Sequence, residues 1–384
     1  MTITRDIRYV GVDDHQIDLF EGQYAVPNGI SYNAYVILDD KIAVMDTVDA
    51  HKKEEFLHNL EDVLQGRAPD YLVISHVEPD HASSLKAFVE RYPHAQLVGN
   101  AKTFSMLQQY FDVDFSGALV VKEGDKLSLG KHELTFYMAP MVHWPEVMVT
   151  YDSCDKVLFS ADGFGKFGAL DVQEDWDCEA RRYYFNIVGK YGGQVQALLK
   201  KAAGLDIQVI CPLHGPVLSE NLGYYVNKYD VWSSYTPETE GVFIAYASLH
   251  GNTAEAAQKL AGILREKGCP EVEMIDLARG DFAEAVEGAF EFGKVVLAAS
   301  SYDGGAMPFM DKLLHHLKAK NYQKRTVALI ENGSWAPSAA RTMKELLGQM
   351  KDITVIEPVV TIRGAVKPGD IEQLEALAQA LMQQ

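Results

Sequence analysis

Residues 76–81 read His-Val-Glu-Pro-Asp-His, and four of these six side chains can bind a metal. Imidazoles mixed with carboxylates suit transition ions, which either activate small molecules or exchange electrons with them. The apolar run 71–75 just before them reads as a buried strand. In an extended tail beyond that strand His76 and Glu78 point the same way, because side chains alternate with period two. Pro79 disfavours a helix at Glu78 and keeps the ligand loop open. Asp80 and His81 then face a second position as the chain turns into a helix over 82–92. One hexapeptide thus carries ligands for two metals side by side.

Similar placements recur along the first 240 residues. Beyond a strand at 133–138 stands Val142-His143-Trp144-Pro145, and beyond 156–160 stands Ala161-Asp162-Gly163. Beyond 207–210 stands Pro212-Leu213-His214-Gly215. Each is a His or Asp beside Gly or Pro just past an apolar strand, where a rigid scaffold presents reactive groups. Other strands are expected at 33–38, 41–46, 118–122 and 126–129, with a helix at 52–64.

The order His-x-Glu-x-Asp-His, His, Asp, His resembles the metallo-β-lactamase superfamily, an αββα sandwich whose usual first motif is His-x-His-x-Asp-His. Glu78 stands where that motif has its second His. The set becomes four imidazoles and three carboxylates, harder and more anionic than zinc hydrolases prefer. Three carboxylates offset most of the charge of two divalent ions and suit ferric iron better still. The metal expected is therefore non-haem di-iron.

Residues 236–241 are polar and turn-rich and read as a linker, giving domains over 1–240 and 241–384. Strands are then expected at 242–247, 271–276, 294–299, 326–331 and 353–356. Helices alternate with them at 253–267, 281–289, 308–319, 337–350 and from 370. Such alternation means a doubly wound five-stranded parallel sheet. Its first strand runs into Ser248-Leu249-His250-Gly251-Asn252-Thr253, whose hydroxyls and backbone amides at a helix start make an anion cradle. This cradle has no Gly-x-x-x-x-Gly-Lys, which argues against a nucleoside triphosphate. The third strand ends in Ser300-Ser301-Tyr302-Asp303-Gly304-Gly305 and the fourth in Asn332-Gly333-Ser334-Trp335-Ala336. Tyr302 and Trp335 can flank a planar ring, and the glycines let amides approach it. One phosphate loop and two aromatic loops fit flavin mononucleotide (FMN), and this half resembles flavodoxin.

The two halves in this order resemble the flavodiiron proteins (A-type flavoproteins) over essentially the whole chain. The resemblance implies an α/β architecture with a metallo-β-lactamase-like domain followed by a flavodoxin-like one. It implies reduction of O2 to water, of nitric oxide to nitrous oxide, or both, with electrons passed through FMN. By matching motif, His76, Glu78 and His143 bind one iron, Asp80, His81 and His214 the other, and Asp162 bridges. Phe20-Glu21-Gly22 occupies the region where some members carry a His near the substrate pocket. A head-to-tail homodimer, or a dimer of such dimers, is expected to bring each flavin to its partner's irons. With no Cys-x-x-Cys in the chain and no Gly-x-Gly-x-x-Gly in the flavodoxin-like half, electrons are expected from an external donor such as rubredoxin. Two other readings compete. A zinc hydrolase fused to a flavodoxin conflicts with Glu78, and a pure electron carrier leaves an open di-metal site without purpose.

Composition bounds the rest. Apolar residues at 47% against 23% charged mark a globular chain, and no apolar run reaches the length of a membrane span. Of the net charge of −19, −16 falls in residues 1–240, which disfavours nucleic acid and anionic lipid as partners. Four scattered cysteines (Cys154, Cys178, Cys211, Cys269) and the lack of a signal-peptide pattern lead to the expectation of a reducing cytoplasm.

Overall fold

The computed structural model describes residues 1–384. They form two compact units: Met1–Tyr183 with Gly193–Asp230, and Tyr184–Gly192 with Val231–Gln384.

The first unit contains two facing sheets. One orders its strands Ile7–Tyr9, Tyr35–Ile37, Ala43–Met45, Tyr71–Val73, Gln96–Gly99 and Leu119–Val120. The other orders Lys126–Ser128, Glu133–Met138, Met148–Asp152, Val157–Phe159 and Val209–Cys211. Ile37, Met45 and Val73 from the first sheet share one buried cluster with Phe136, Met148 and Phe159 from the second. Central strands here read Ala-Val-Met and Val-Leu-Phe with every residue buried, so the period-two signal of a half-exposed strand is lost.

The ligand hexapeptide corrects one expectation. Pro79 does not hold an open loop; it is the first residue of a short helix, Pro79–Ala82, that carries Asp80 and His81. Proline at that position sacrifices no hydrogen bond, since the first N–H groups of a helix lack intrahelical partners, and its fixed φ suits the turn. Nor does one helix run over 82–92. Ser83 donates its hydroxyl to the Pro79 carbonyl and accepts from Ala50 N at 2.7 Å, and Ser84 donates to Asp49 O at 3.1 Å. A new helix starts at Leu85 and ends at Arg91.

In the second unit the main sheet runs Val272–Asp276, Thr239–Ala247, Phe292–Tyr302, Gln323–Asn332 and Lys351–Val355, all parallel. In chain order this is 2-1-3-4-5, the flavodoxin-like winding. Helices Asn252–Glu266 and Pro368–Met382 cover one face through Leu260, Leu264, Leu374 and Leu377. Helices Phe282–Glu291, Pro308–Ala319 and Ala339–Leu347 pack together on the other. The first strand begins at Thr239, inside the expected linker, and shifts register before Val242. At that shift a Cβ on Gly241 would lie 2.4 Å from the Glu271 carbonyl oxygen, so only glycine fits. The fifth strand is followed by a short Val360–Ile362 piece that pairs with the same neighbour.

Nine residues from the middle of the chain join this unit. Tyr184–Val188 form a wide helical turn in which Phe185 stacks on Phe290, centroids 4.4 Å apart. Asn186 Nδ2 donates to the Ala283 carbonyl at 3.1 Å. No helix of the protein is long and apolar enough to cross a membrane.

Candidate di-metal centre and flavin site

All seven sequence-expected donors of the first unit converge. His76, Glu78, His143 and Asp162 form one group, and Asp80, His81 and His214 an adjacent one. Strand ends position them. Asp46, at the end of its own strand, accepts the Ser75 N–H at 2.7 Å and so fixes the backbone just before His76. Trp144 sets its ring edge-on to His76 at 5.3 Å. Phe20, Tyr32 and Tyr183 wall His214 at centroid distances of 5.3, 6.1 and 5.5 Å.

The donor atoms face inward. Glu78 Oε2 lies 3.1 Å from His76 Nε2 and 3.0 Å from His143 Nε2. Asp80 Oδ2 lies 3.4 Å from His81 Nε2 and 3.2 Å from His214 Nε2. Asp162 divides its oxygens: Oδ2 is 3.3 Å from His76 Nε2 and 3.5 Å from His143 Nε2. Its Oδ1 is 3.5 Å from His81 Nε2 and 3.8 Å from His214 Nε2.

Two observations test whether metal ions fit. Both oxygens of Asp80 and of Asp162 are buried without a hydrogen bond. Burying a carboxylate that way is costly unless a cation satisfies it. The histidine tautomers agree. Nδ1 of His214 meets the Ser31 carbonyl at 2.7 Å and Nδ1 of His76 meets the Glu146 carboxylate at 2.7 Å. Both partners can only accept, so Nδ1 carries a proton, and when the ring is neutral it turns its Nε2 lone pair inward. The local field favours positive charge. Burial works against charge on His76, His81 and His143, yet the surrounding carboxylates hold all three above the ordinary imidazole value. Despite burial, the same neighbours hold Glu78 and Asp162 below the usual carboxylate range. The donor set fits two hard cations.

A cavity of about 440 Å³ opens onto Glu78 and Asp80, lined also by Ile17, Phe20, Glu21 and Tyr32. Part of the Glu21 side chain meets solvent. Desolvation of its carboxyl, with Glu78 beside it, pushes that group up to about 7. Glu146 and Ser31 were not singled out from sequence. Glu146 did carry a signal, a lone carboxylate before the apolar run Val147-Met148-Val149, three residues past His143. Ser31 acts through its backbone and left none.

In the second unit, three loops at one sheet edge enclose a cavity of about 380 Å³. It is lined by Leu249, His250, Asn252, Thr253, Ser300, Ser301, Tyr302, Asp303 and Gly304. Asn332, Gly333, Ser334, Trp335, Ala336, Ser338 and Gly364 complete it. Of the expected residues, Ser248, Gly251 and Gly305 support the cavity from outside its lining. Ser248 Oγ accepts from Gly251 N at 3.1 Å and Ala254 N at 3.2 Å, shaping the turn into the helix. Gly251 holds φ 93°, a left-handed conformation natural to glycine. Gly305 pairs with Tyr302 in a small hairpin. Ser338 and Gly364, not expected, enter because Ser338 N donates to Ser301 Oγ at 2.8 Å and Asn332 binds Gly364 through both its amide atoms, at 2.9 and 3.0 Å. A Cβ on Gly333 would lie 2.9 Å from Pro337 Cα, so the backbone there is open to a ligand and closed to a side chain. Tyr302 is 44% and Trp335 89% exposed, apolar rings without partners at the mouth. An amide-rich helix start beside two free rings fits a phosphate joined to a planar heterocycle.

Known proteins match both units. Residues 30–215 match the family described as ODP family beta lactamase, and residues 243–367 match a flavodoxin domain. A nitric oxide reductase of Moorella thermoacetica is 29% identical over 99% of this chain and 98% of its own. The rubredoxin-oxygen oxidoreductase of Megalodesulfovibrio gigas is 29% identical over 97% and 94%. Among solved structures, rubredoxin oxygen:oxidoreductase from Desulfovibrio gigas superposes with TM-score 0.92 at 28% identity, covering 100% of this chain and 98% of that one. The flavodiiron protein of Giardia intestinalis gives 0.92 at 25% identity, covering 99% and 95%. Two matched domains in this order, full-length relatives, and a seven-donor centre in one unit with a flavin-sized cavity in the other make the chain a member of the flavodiiron protein family.

Proposed function

We propose that this protein is an oxidoreductase that reduces O2 to water, nitric oxide to nitrous oxide, or both. The balances are O2 + 4 e⁻ + 4 H⁺ → 2 H2O and 2 NO + 2 e⁻ + 2 H⁺ → N2O + H2O. The observation that carries the reading is Asp162, whose two oxygens face two separate donor groups. Such a bridge suits two irons. His76, Glu78 and His143 would hold one, Asp80, His81 and His214 the other, and FMN would occupy the cavity formed by the 248–253, 300–305 and 332–336 loops. When bound, the irons supply a site for the diatomic substrate and the flavin supplies electrons in pairs.

The chain's own contribution is geometry and environment. His76 and His214 are locked in one tautomer by Glu146 and Ser31, so their Nε2 atoms stay aimed inward. Phe20, Tyr32 and Tyr183 present an apolar wall that favours a small uncharged molecule over water. The mouth cavity gives that molecule a path to Glu78 and Asp80, and Glu21 can hold a proton there near neutral pH.

The names of the relatives support an external electron donor, rubredoxin being the expected one. A head-to-tail homodimer, or a dimer of dimers, and a cytoplasmic location complete the reading. The test is anaerobic reconstitution with ferrous iron and FMN, followed by O2 and NO consumption with rubredoxin and its reductase under NADH. Consumption that needs iron, flavin and donor together supports the proposal. Equal consumption by iron-free protein contradicts it.

A further inference from the structure

The two donor groups are alike in what they turn inward. Each has two imidazoles and one carboxylate of its own, Glu78 or Asp80, and each shares Asp162. They differ one layer out. The His76 Nδ1–H meets a carboxylate, Glu146 Oε1, at 2.7 Å. The His214 Nδ1–H meets a neutral backbone carbonyl, and buried His81 Nδ1 has no partner at all.

Glu146 is built into this position. Its side chain is fully buried, and the same Oε1 accepts the Val77 N–H at 2.9 Å. Asn100, which caps the helix Ala101–Leu107, donates from Nδ2 to the Glu146 backbone carbonyl at 2.6 Å. The second oxygen, Oε2, is buried without a partner. A protein does not bury a half-satisfied carboxylate for packing; methionine or leucine would fill the space at lower cost.

We propose that Glu146 is a positioning residue that makes the two metal positions unequal, tightening the one built by His76, Glu78 and His143. A carboxylate on the outer N–H draws that proton toward itself and makes the inner nitrogen a stronger donor. It also adds a negative charge against the His76 side of the pair. The position beside His76 fills first, and when oxidised it is the harder of the two to reduce. Both consequences rest on the di-iron reading above.

The experiment is anaerobic calorimetric titration of the metal-free, flavin-loaded protein with Fe(II), for the wild type and Glu146→Gln. Glutamine keeps an oxygen for both N–H groups and removes the charge. Wild type is expected to show two unequal sites, and the variant a loss of about 10–100-fold at the tighter one, with the weaker site unchanged. Glu146→Asp, which retains the charge, is expected to recover part of that loss. Unchanged constants in Glu146→Gln, or an equal loss at both sites, would overturn the proposal. Wild type alone supplies a second arm that does not depend on a variant folding. After one equivalent of Fe(II), anomalous scattering from crystals should place the iron beside His76; iron beside His81 and His214 would overturn the proposal. A wild type that binds no iron would instead defeat the di-iron reading itself.

Discussion

Asp162 Oδ2 stands 3.3 Å from His76 Nε2, while its other oxygen turns to His81 and His214. One buried carboxylate thereby joins two donor groups that would otherwise be separate cation sites. Removing its charge leaves two cations facing each other with less between them. Asp162→Ala is expected to lose at least half of the bound iron, and elemental analysis per folded chain checks this. Full occupancy in that variant would show that Asp162 does not bridge.

The flavin site makes a separate prediction. Gly333→Ala would place a methyl 2.9 Å from Pro337 Cα, and backbone cannot yield as a flexible side chain does. The 332–337 loop must shift. FMN content, read from visible absorbance, should fall several-fold while iron content stays at the wild-type value. Equal loss of both would point to global misfolding.

Trp335 is 89% exposed and contributes little to the folded flavin-free protein. Trp335→Ala should leave the flavin-free melting temperature unchanged and weaken FMN about 2–10-fold, the range expected for one aromatic contact. Flavin fluorescence titration measures the second effect and calorimetry the first. An unchanged FMN affinity would remove Trp335 from the site.

These sites were unequally legible in the sequence. The ligand hexapeptide was visible because four donors crowd into six residues, and His143, Asp162 and His214 because each follows an apolar strand beside Gly or Pro. The second half was visible because its strands and helices alternate and most of its helices carry an apolar stripe. Residues that act through the second layer were not. Ser31 contributes only a carbonyl, and nothing in a sequence marks which carbonyl a histidine will meet. The two- and three-residue strands of the N-terminal stretch, such as Val12–Asp14 and Leu19–Phe20, are too short for any periodicity to register. The segment Tyr184–Val188 packs by Phe185 on Phe290, more than a hundred residues away, and local pattern carries no trace of that contact.

A pH prediction arises away from both sites. His132 is fully buried, with Nδ1 2.9 Å from Asp152 Oδ2 and Nε2 3.4 Å from Asp6 Oδ2. Burial alone would lower its pKa, but the two aspartates outweigh it and hold the ring above the ordinary imidazole value. A group raised on folding stabilises the native state fully below its unfolded pKa, about 6.5, and loses that contribution as pH rises through the raised value. The melting temperature should therefore decline above pH 6.5 more steeply in wild type than in His132→Leu. At pH 6 that variant should be less stable by about 3 kcal/mol or more, since it leaves Asp152 buried opposite an apolar chain. Parallel pH profiles would show that His132 is neutral in the fold.

The central claim is that one chain stores electrons in a flavin and two irons and delivers them to a diatomic gas. The most direct measurement is single turnover without any donor. Protein loaded with FMN and iron is fully reduced, freed of reductant and mixed anaerobically with NO, or with O2 in a second cell. Two electrons from the flavin and two from the irons should consume about one O2 per chain without releasing hydrogen peroxide, or convert about four NO to two N2O. Gas uptake and N2O by chromatography give the count. Neither gas consumed by protein carrying its full iron and flavin, or both consumed equally by Asp162→Ala stripped of iron, would contradict the account.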